Sequence, residues 1–153
     1  MWKYIFTIFC IFWTMPLWAQ HYPEAPFSPI QMHMAGCVTI QGIPASPGDE
    51  VALFDKTGTL VGSAVVTTEG LYGDLAVFGD VILTPEREGA SPDEILTVRV
   101  RQQSTGKEYA AITLAPPSQS MGIYAPMREK TIRFREGYFL SVNVDASDQE
   151  GRP

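Results

Sequence analysis

Gly42 to Asp80 reads GIPASPGDEVALFDKTGTLVGSAVVTTEGLYGDLAVFGD. Short apolar runs alternate here with turns built from Gly, Pro and Asp. Val51 to Lys56 is apolar on both faces, with Val51 and Leu53 on one side and Ala52 and Phe54 on the other. That pattern predicts a strand that is central or covered on both faces. Asp55-Lys56-Thr57-Gly58 predicts a tight hairpin, because Gly58 accepts positive φ at no steric cost. Leu60 to Val66 then returns antiparallel, Thr67 to Gly70 turns again, and Leu71 to Phe78 follows with a bulge at Gly73-Asp74.

The same rhythm extends outward. Gln31 to Gln41 predicts a first strand in which Val38 and Ile40 share one face, and Cys37 and Thr39 the other. Gly42 to Gly48 must turn. Ile95 to Arg101 alternates cleanly, with Leu96, Val98 and Val100 inward and Thr97, Arg99 and Arg101 outward. Glu108 to Leu114 pairs back, and Thr131 to Phe134 and Phe139 to Val144 complete the set. No segment holds a helical period. The expectation is therefore an all-β protein with little helix: an antiparallel Ig-like or transthyretin-like β-sandwich of about 7–9 strands.

The first nineteen residues, MWKYIFTIFCIFWTMPLWA, read as an export signal. Lys3 supplies the positive start, Tyr4 to Trp18 carries no charge, and Leu17 and Ala19 suit a cut after Ala19. The apolar stretch is shorter than the roughly 20 residues of a membrane-spanning helix. The expected organisation is a signal peptide at 1–19, an extended Pro-rich leader at 20–30, a β-sandwich at 31–145 and a disordered tail at 146–153. The mature chain would be periplasmic, on the cell surface or extracellular, with no transmembrane span.

The chain has 11 Lys and Arg against 17 Asp and Glu, a net charge of −6. Loss of Lys3 with the signal makes that balance one unit more negative. Nucleic-acid binding needs a basic surface that releases phosphate counterions, so this class is excluded as an expectation. Cys10 would leave with the signal. Cys37 would then be alone, with no intrachain disulfide, and is expected as a buried inert thiol.

The series Gly42-Ile43-Pro44, Gly48-Asp49-Glu50-Val51, Phe54-Asp55, Gly58, Leu60-Val61-Gly62, Gly70 and Tyr72-Gly73 resembles small secreted bacterial β-sandwich modules with a G-x-P, GDEVxxFD, LVG, GxYG pattern. More loosely it is similar to the carboxypeptidase regulatory-like, transthyretin-type sandwich. The later Gly79-Asp80, Glu88-Gly89-Ala90 and Asp93-Glu94-Ile95 extend the likeness. The resemblance implies a non-enzymatic extracellular module and no particular ligand.

Chemistry is sparse. Only His21 and His33 are available as bases, and neither accompanies a G-x-S-x-G elbow or an H-E-x-x-H helix. No hydrolase of those types is expected, and no catalytic residue is assigned. Asp49, Asp74, Asp80 and Asp93 lie in turns, where converging carboxylates would suit Ca²⁺ and isolated ones would serve Asx-turns. His21, Met32, His33, Met34 and Cys37 cluster in sequence, and imidazole with soft sulfur suits copper. Tyr22, Phe27, Met121, Ile123, Tyr124 and Met127 are candidate contact residues, because exposed aromatic and apolar loops bind partners or sugars. The leading expectation is a non-catalytic structural or adhesive module. It would contact an envelope or extracellular protein, or a second copy, through its loops and edge strands. A carbohydrate-binding module and a periplasmic copper binder are the alternatives.

Overall fold

Every described element of this chain is extended. A computed structural model describes residues 20–114, 125–126 and 131–147, the backbone alone at 125–126. Among the described residues there are eleven strands: β1 (Gln31–Ala35), β2 (Val38–Ile40), β3 (Ile43–Pro44), β4 (Glu50–Phe54), β5 (Leu60–Val65), β6 (Leu75–Phe78), β7 (Thr97–Arg101), β8 (Glu108–Thr113), β9 (Ala125–Pro126), β10 (Phe139–Ser141) and β11 (Val144–Ala146). Among the described residues there is no helix, and so none long and apolar enough to cross a membrane. The expected signal at 1–19, the tail from 148 onward, and Met121, Ile123, Tyr124 and Met127 lie outside the described residues.

The strands form a seven-stranded sheet, in the order β3-β2-β11-β8-β7-β4-β5, and a four-stranded sheet, β6-β1-β10-β9. One apolar cluster, including Met32, Met34, Leu53, Leu75, Val100 and Phe134, joins both. The central hairpin behaves as its sequence dictates. Strand β4 is flanked by β5 and β7, both antiparallel. Asp55 Oδ1 accepts from the Thr57 and Thr59 amides at 2.8 and 2.9 Å, and Gly58 turns with φ 83°. Strand β7 buries Val98 and Val100 and turns Thr97 and Arg99 outward.

Pairing departs from the all-antiparallel expectation. Strands β1 and β10, β10 and β9, and β2 and β11 are parallel, so both sheets are mixed. For β1 with β10 and β2 with β11 the cause is one crossing point. The chain passes from β1 to β2 through Gly36-Cys37, and from β10 to β11 through Val142-Asn143. The two segments run side by side and step together from the small sheet into the large one. Val142 N–H donates to Ala35 O at 2.9 Å, and Val144 N–H to Cys37 O at 3.0 Å. The Tyr72 hydroxyl donates to Val142 O at 2.6 Å, and the Cys37 amide to Asn143 Oδ1 at 3.0 Å. Only glycine fits at position 36, since a Cβ there would lie 2.0 Å from Val142 O.

Smaller corrections share local causes. Gln41 and Gly42 both take positive φ, so the expected turn at Gly42 is a two-residue hairpin that adds β3. Leu71 forms only isolated bridges, and β6 begins at Leu75, after Gly73 turns with φ 68°. Cys37 sits at the crossing and is exposed, not buried. The strand total exceeds the expected range because β1 and β2, and likewise β10 and β11, are each one path broken in two.

Candidate functional site

The leader is docked. Glu50, Ala52 and Phe54 occupy the outer face of β4, beside Arg99 of β7, which pairs with Ala52. Residues 21–22 lie on this face. The buried Glu50 carboxylate accepts from the His21 amide at 2.7 Å and the Tyr22 amide at 2.9 Å. The Tyr22 ring meets Phe54 edge-on, with centroids 5.9 Å apart, and its hydroxyl donates to Glu108 Oε2 at 2.6 Å. Arg99 closes the patch, with its guanidinium 4.6 Å over the Phe54 ring and Nη1 2.9 Å from Glu108 Oε1. This explains why β4 is apolar on both sides: one face meets the core and the other meets Tyr22.

The electrostatics follow. Burial first, then the hydrogen bond to Glu108 and that carboxylate's charge, push the Tyr22 hydroxyl well above the ordinary tyrosine range. Burial alone would raise Glu108. The hydrogen bonds from Tyr22 and Arg99 and the Arg99 charge outweigh it and hold Glu108 below the usual carboxylate range.

Beyond Tyr22 the leader passes over a seam. Among the described residues, β5 pairs only with β4, and β6 only with β1. The far end of β6 is bridged by Ala90, whose amide donates to Phe78 O at 3.0 Å. Strand β6 lies against β5 at Gly62, where a Cβ would lie 2.5 Å from Ala76 O. On one side of that contact they enclose a groove of about 430 Å³. Its walls are Ser63, Ala64 and Val65 of β5, with Asp74, Ala76 and Phe78 at and along β6. Gln20, Glu24, Ala25 and Phe27 of the leader complete the lining. Phe27 is three-quarters exposed, and its ring lies 5.8 Å from that of Phe78. Pro23, Pro26 and Pro29 have no amide to give, and no backbone hydrogen bond joins residues 20–29 to β5 among the described residues. The leader borders the groove without completing either sheet.

The sequence-predicted residues fall apart into separate places. Phe27 and Asp74 line the seam groove. Tyr22, expected at an exposed edge, is buried and is no free platform. The sulfur and imidazole set is divided by strand alternation: Met32 and Met34 point into the core, while His33 turns to the outer face. There His33 Nδ1 lies 3.0 Å from Asp74 Oδ1, and its ring stacks on Phe139 at 5.0 Å. His21 sits on the outer face of the large sheet and Cys37 at the crossing.

The four aspartates are equally scattered. Asp49 is buried, accepting from the amides of Ser46 at 2.8 Å and Gln103 at 2.9 Å. Asp80 accepts from the Glu88 amide at 2.9 Å, and Asp93 faces Arg135 at 3.4 Å. No group of three His, Cys, Asp or Glu side chains converges among the described residues.

Sequence reasoning missed Glu50 and Glu108 as partners of the leader, and missed the cluster in which exposed Arg87 caps the buried Asp55 and Glu94. Arg87 bridges both carboxylates, lying 3.0 Å from Asp55 and also pairing with Glu94. Burial raises Asp55 and Glu94, but hydrogen bonds and the Arg87 charge bring both net below their ordinary values. The signal for Glu50 was present in the sequence, as a charged residue opening a two-sided apolar strand.

No family model, curated protein or solved structure matches this chain.

Proposed function

We propose that this chain is an exported, non-catalytic structural or adhesive module that binds another envelope or extracellular protein at the β5/β6 seam. In this reading the two mixed sheets are an Ig-like or transthyretin-like sandwich of the secreted bacterial type that the Gly42–Asp80 pattern resembles. The observation that carries it is the groove between β5 and β6, bordered by Phe27 and Phe78, where among the described residues no strand pairs with the second edge of β5. An unpaired edge offers backbone donors and acceptors to an extended segment, and neighbouring side-chain pockets select its residues. The aromatic pair supplies apolar burial, and Glu24 and Asp74 set an acidic margin that favours a partner segment with basic residues.

The test is selection from a library of extended peptides on the purified mature chain, with binding mapped by backbone amide shifts. Binders should move the amides of Ser63–Val65 and Leu75–Phe78. Phe27→Ala, which removes one wall, and Ala76→Arg, which fills the groove, should abolish them. Binders that map elsewhere, or that survive both substitutions, would refute the assignment.

A further inference from the structure

Among the described residues, Glu50 is a buried charge without a counter-charge. It is 3% exposed and lies on the covered outer face of β4. Its two oxygens accept from the His21 and Tyr22 amides, at 2.7 and 2.9 Å. No described Lys, Arg or His side chain forms an ion pair with it. The cations nearby are turned elsewhere. Arg99 is held by Glu108 and lies over the Phe54 ring. Arg101 is in register with Glu50, but its guanidinium lies beside Gly106, where a Cβ would be 3.7 Å from Nη2. The His21 ring packs edge-on against Tyr22, with centroids 5.1 Å apart. Glu108 adds a second negative charge to this face and is already paired with Arg99. Two neutral amides fill about half of a carboxylate's acceptor sites and leave its buried charge uncompensated.

The two amides point upstream along the chain. Successive backbone nitrogens are at most about 4 Å apart. A cut after Ala19, which Leu17 and Ala19 suit, converts the Gln20 nitrogen into an ammonium. One such step beyond the His21 nitrogen places that ammonium within about 7 Å of Glu50 Oε1. A carboxylate shielded from water is only weakly screened at that range. Gln20 itself is exposed, so the ammonium keeps water of its own while the carboxylate gains a partner.

We infer that Glu50 is the receptor for the α-ammonium of Gln20, created when the chain is cut after Ala19, and that this pairing locks the processed end onto β4. The inference rests on the export reading for the origin of that end and is independent of what binds at the seam. Before the cut, residue 20 offers an uncharged amide, so the uncut chain docks more weakly. Gln20, Glu24, Ala25 and Phe27 line the seam groove, so locking the end also steadies that wall.

The experiment compares thermal melts of the 20–153 chain with a free Gln20 amine, with that amine acetylated, and with Gly-Ser placed ahead of Gln20. The Gly-Ser form keeps the ammonium but moves it two residues away. The free amine should melt about 3–6 °C above both other forms. Cyclised Gln20, in which the amine displaces ammonia from its own side-chain amide, has lost the same charge and should melt with the acetylated form. In Glu50→Gln all forms should melt together, which isolates the pair. The comparisons on the unsubstituted chain stand even if Glu50→Gln does not fold. A free amine that melts with the acetylated form overturns the inference. So does a Gly-Ser form as stable as the free amine, or an acetylation loss that persists in Glu50→Gln. N-terminal sequencing of the exported chain separates this result from the export reading. A first residue other than Gln20 overturns the cut and with it the source of the ammonium; a chain that starts at Gln20 but melts alike in all forms overturns the receptor and leaves export standing.

Discussion

Replacing Tyr22 tests whether the leader is a structural part of the domain. The residue is 6% exposed, its ring lies against Phe54, and its hydroxyl meets Glu108 at 2.6 Å. A buried tyrosine removes about 150–250 Å² from solvent, or roughly 4–6 kcal/mol at 25 cal/mol per Å². Holding residues 20–22 in place costs about 1–2 kcal/mol per residue in backbone entropy, and detachment returns that cost. The net loss expected for Tyr22→Ala is therefore about 1–3 kcal/mol, or roughly 3–10 °C in melting temperature for a domain of this size. Tyr22→Phe keeps the ring and removes one hydrogen bond to a carboxylate. Glu108 is partly exposed and retains Arg99, so water replaces the hydroxyl and the cost falls to about 1 kcal/mol. Thermal melts give the totals, and amide exchange at residues 20–22 shows whether opening is confined to the leader. If Tyr22→Ala melts with the wild type and exchange at 20–22 is unchanged, the docking argument fails. If Tyr22→Phe costs as much as Tyr22→Ala, the hydroxyl carries the contact and the burial term is wrong. The pH sign is also fixed. The raised hydroxyl contributes stability that is complete below the ordinary tyrosine pKa of about 10 and is lost as pH climbs through its folded value.

Three further outcomes follow from the same geometry. Arg87→Ala leaves Asp55 and Glu94 buried together without their cation, and should cost about 2–4 kcal/mol in urea unfolding at pH 7. Against the effect of burial, hydrogen bonds first and then the Arg87 charge hold both folded carboxyls low, so the loss should shrink only as pH falls below the usual carboxylate range and protonation removes their repulsion; an equal loss at pH 7 and at about pH 2 would contradict this. Gly36→Ala forces a Cβ against Val142 O at the strand crossing and should lower stability by more than about 3 kcal/mol or prevent folding, as read by circular dichroism. Among the described residues the buried Ser141 hydroxyl has no hydrogen-bond partner, so Ser141→Ala should be neutral or stabilising by up to about 1 kcal/mol; a destabilisation above about 1 kcal/mol would mean that the hydroxyl is satisfied in solution.

Local chemistry determined much of this protein from the sequence alone. Strand alternation set which faces of β2 and β7 turn inward, because successive side chains must point to opposite sides. Asp55 to Gly58 specified the central hairpin, because the carboxylate and the glycine's positive φ are both properties of that tetrapeptide. The two-sided apolar character of Val51–Phe54 announced a covered strand without naming its cover. Only the tertiary structure supplied that cover, since Tyr22 reaches Phe54 and Glu108 across long stretches of chain. It also decided the parallel pairing of β1 with β10 and β2 with β11, since turn signals govern only strands adjacent in sequence. The scattering of the metal candidates had the same two sources. Period two separated His33 from Met32 and Met34, and chain topology placed His21 and Cys37 on different parts of the surface. The seam between β5 and β6 appears in no motif, because it is made where strands of two different sheets come together in space.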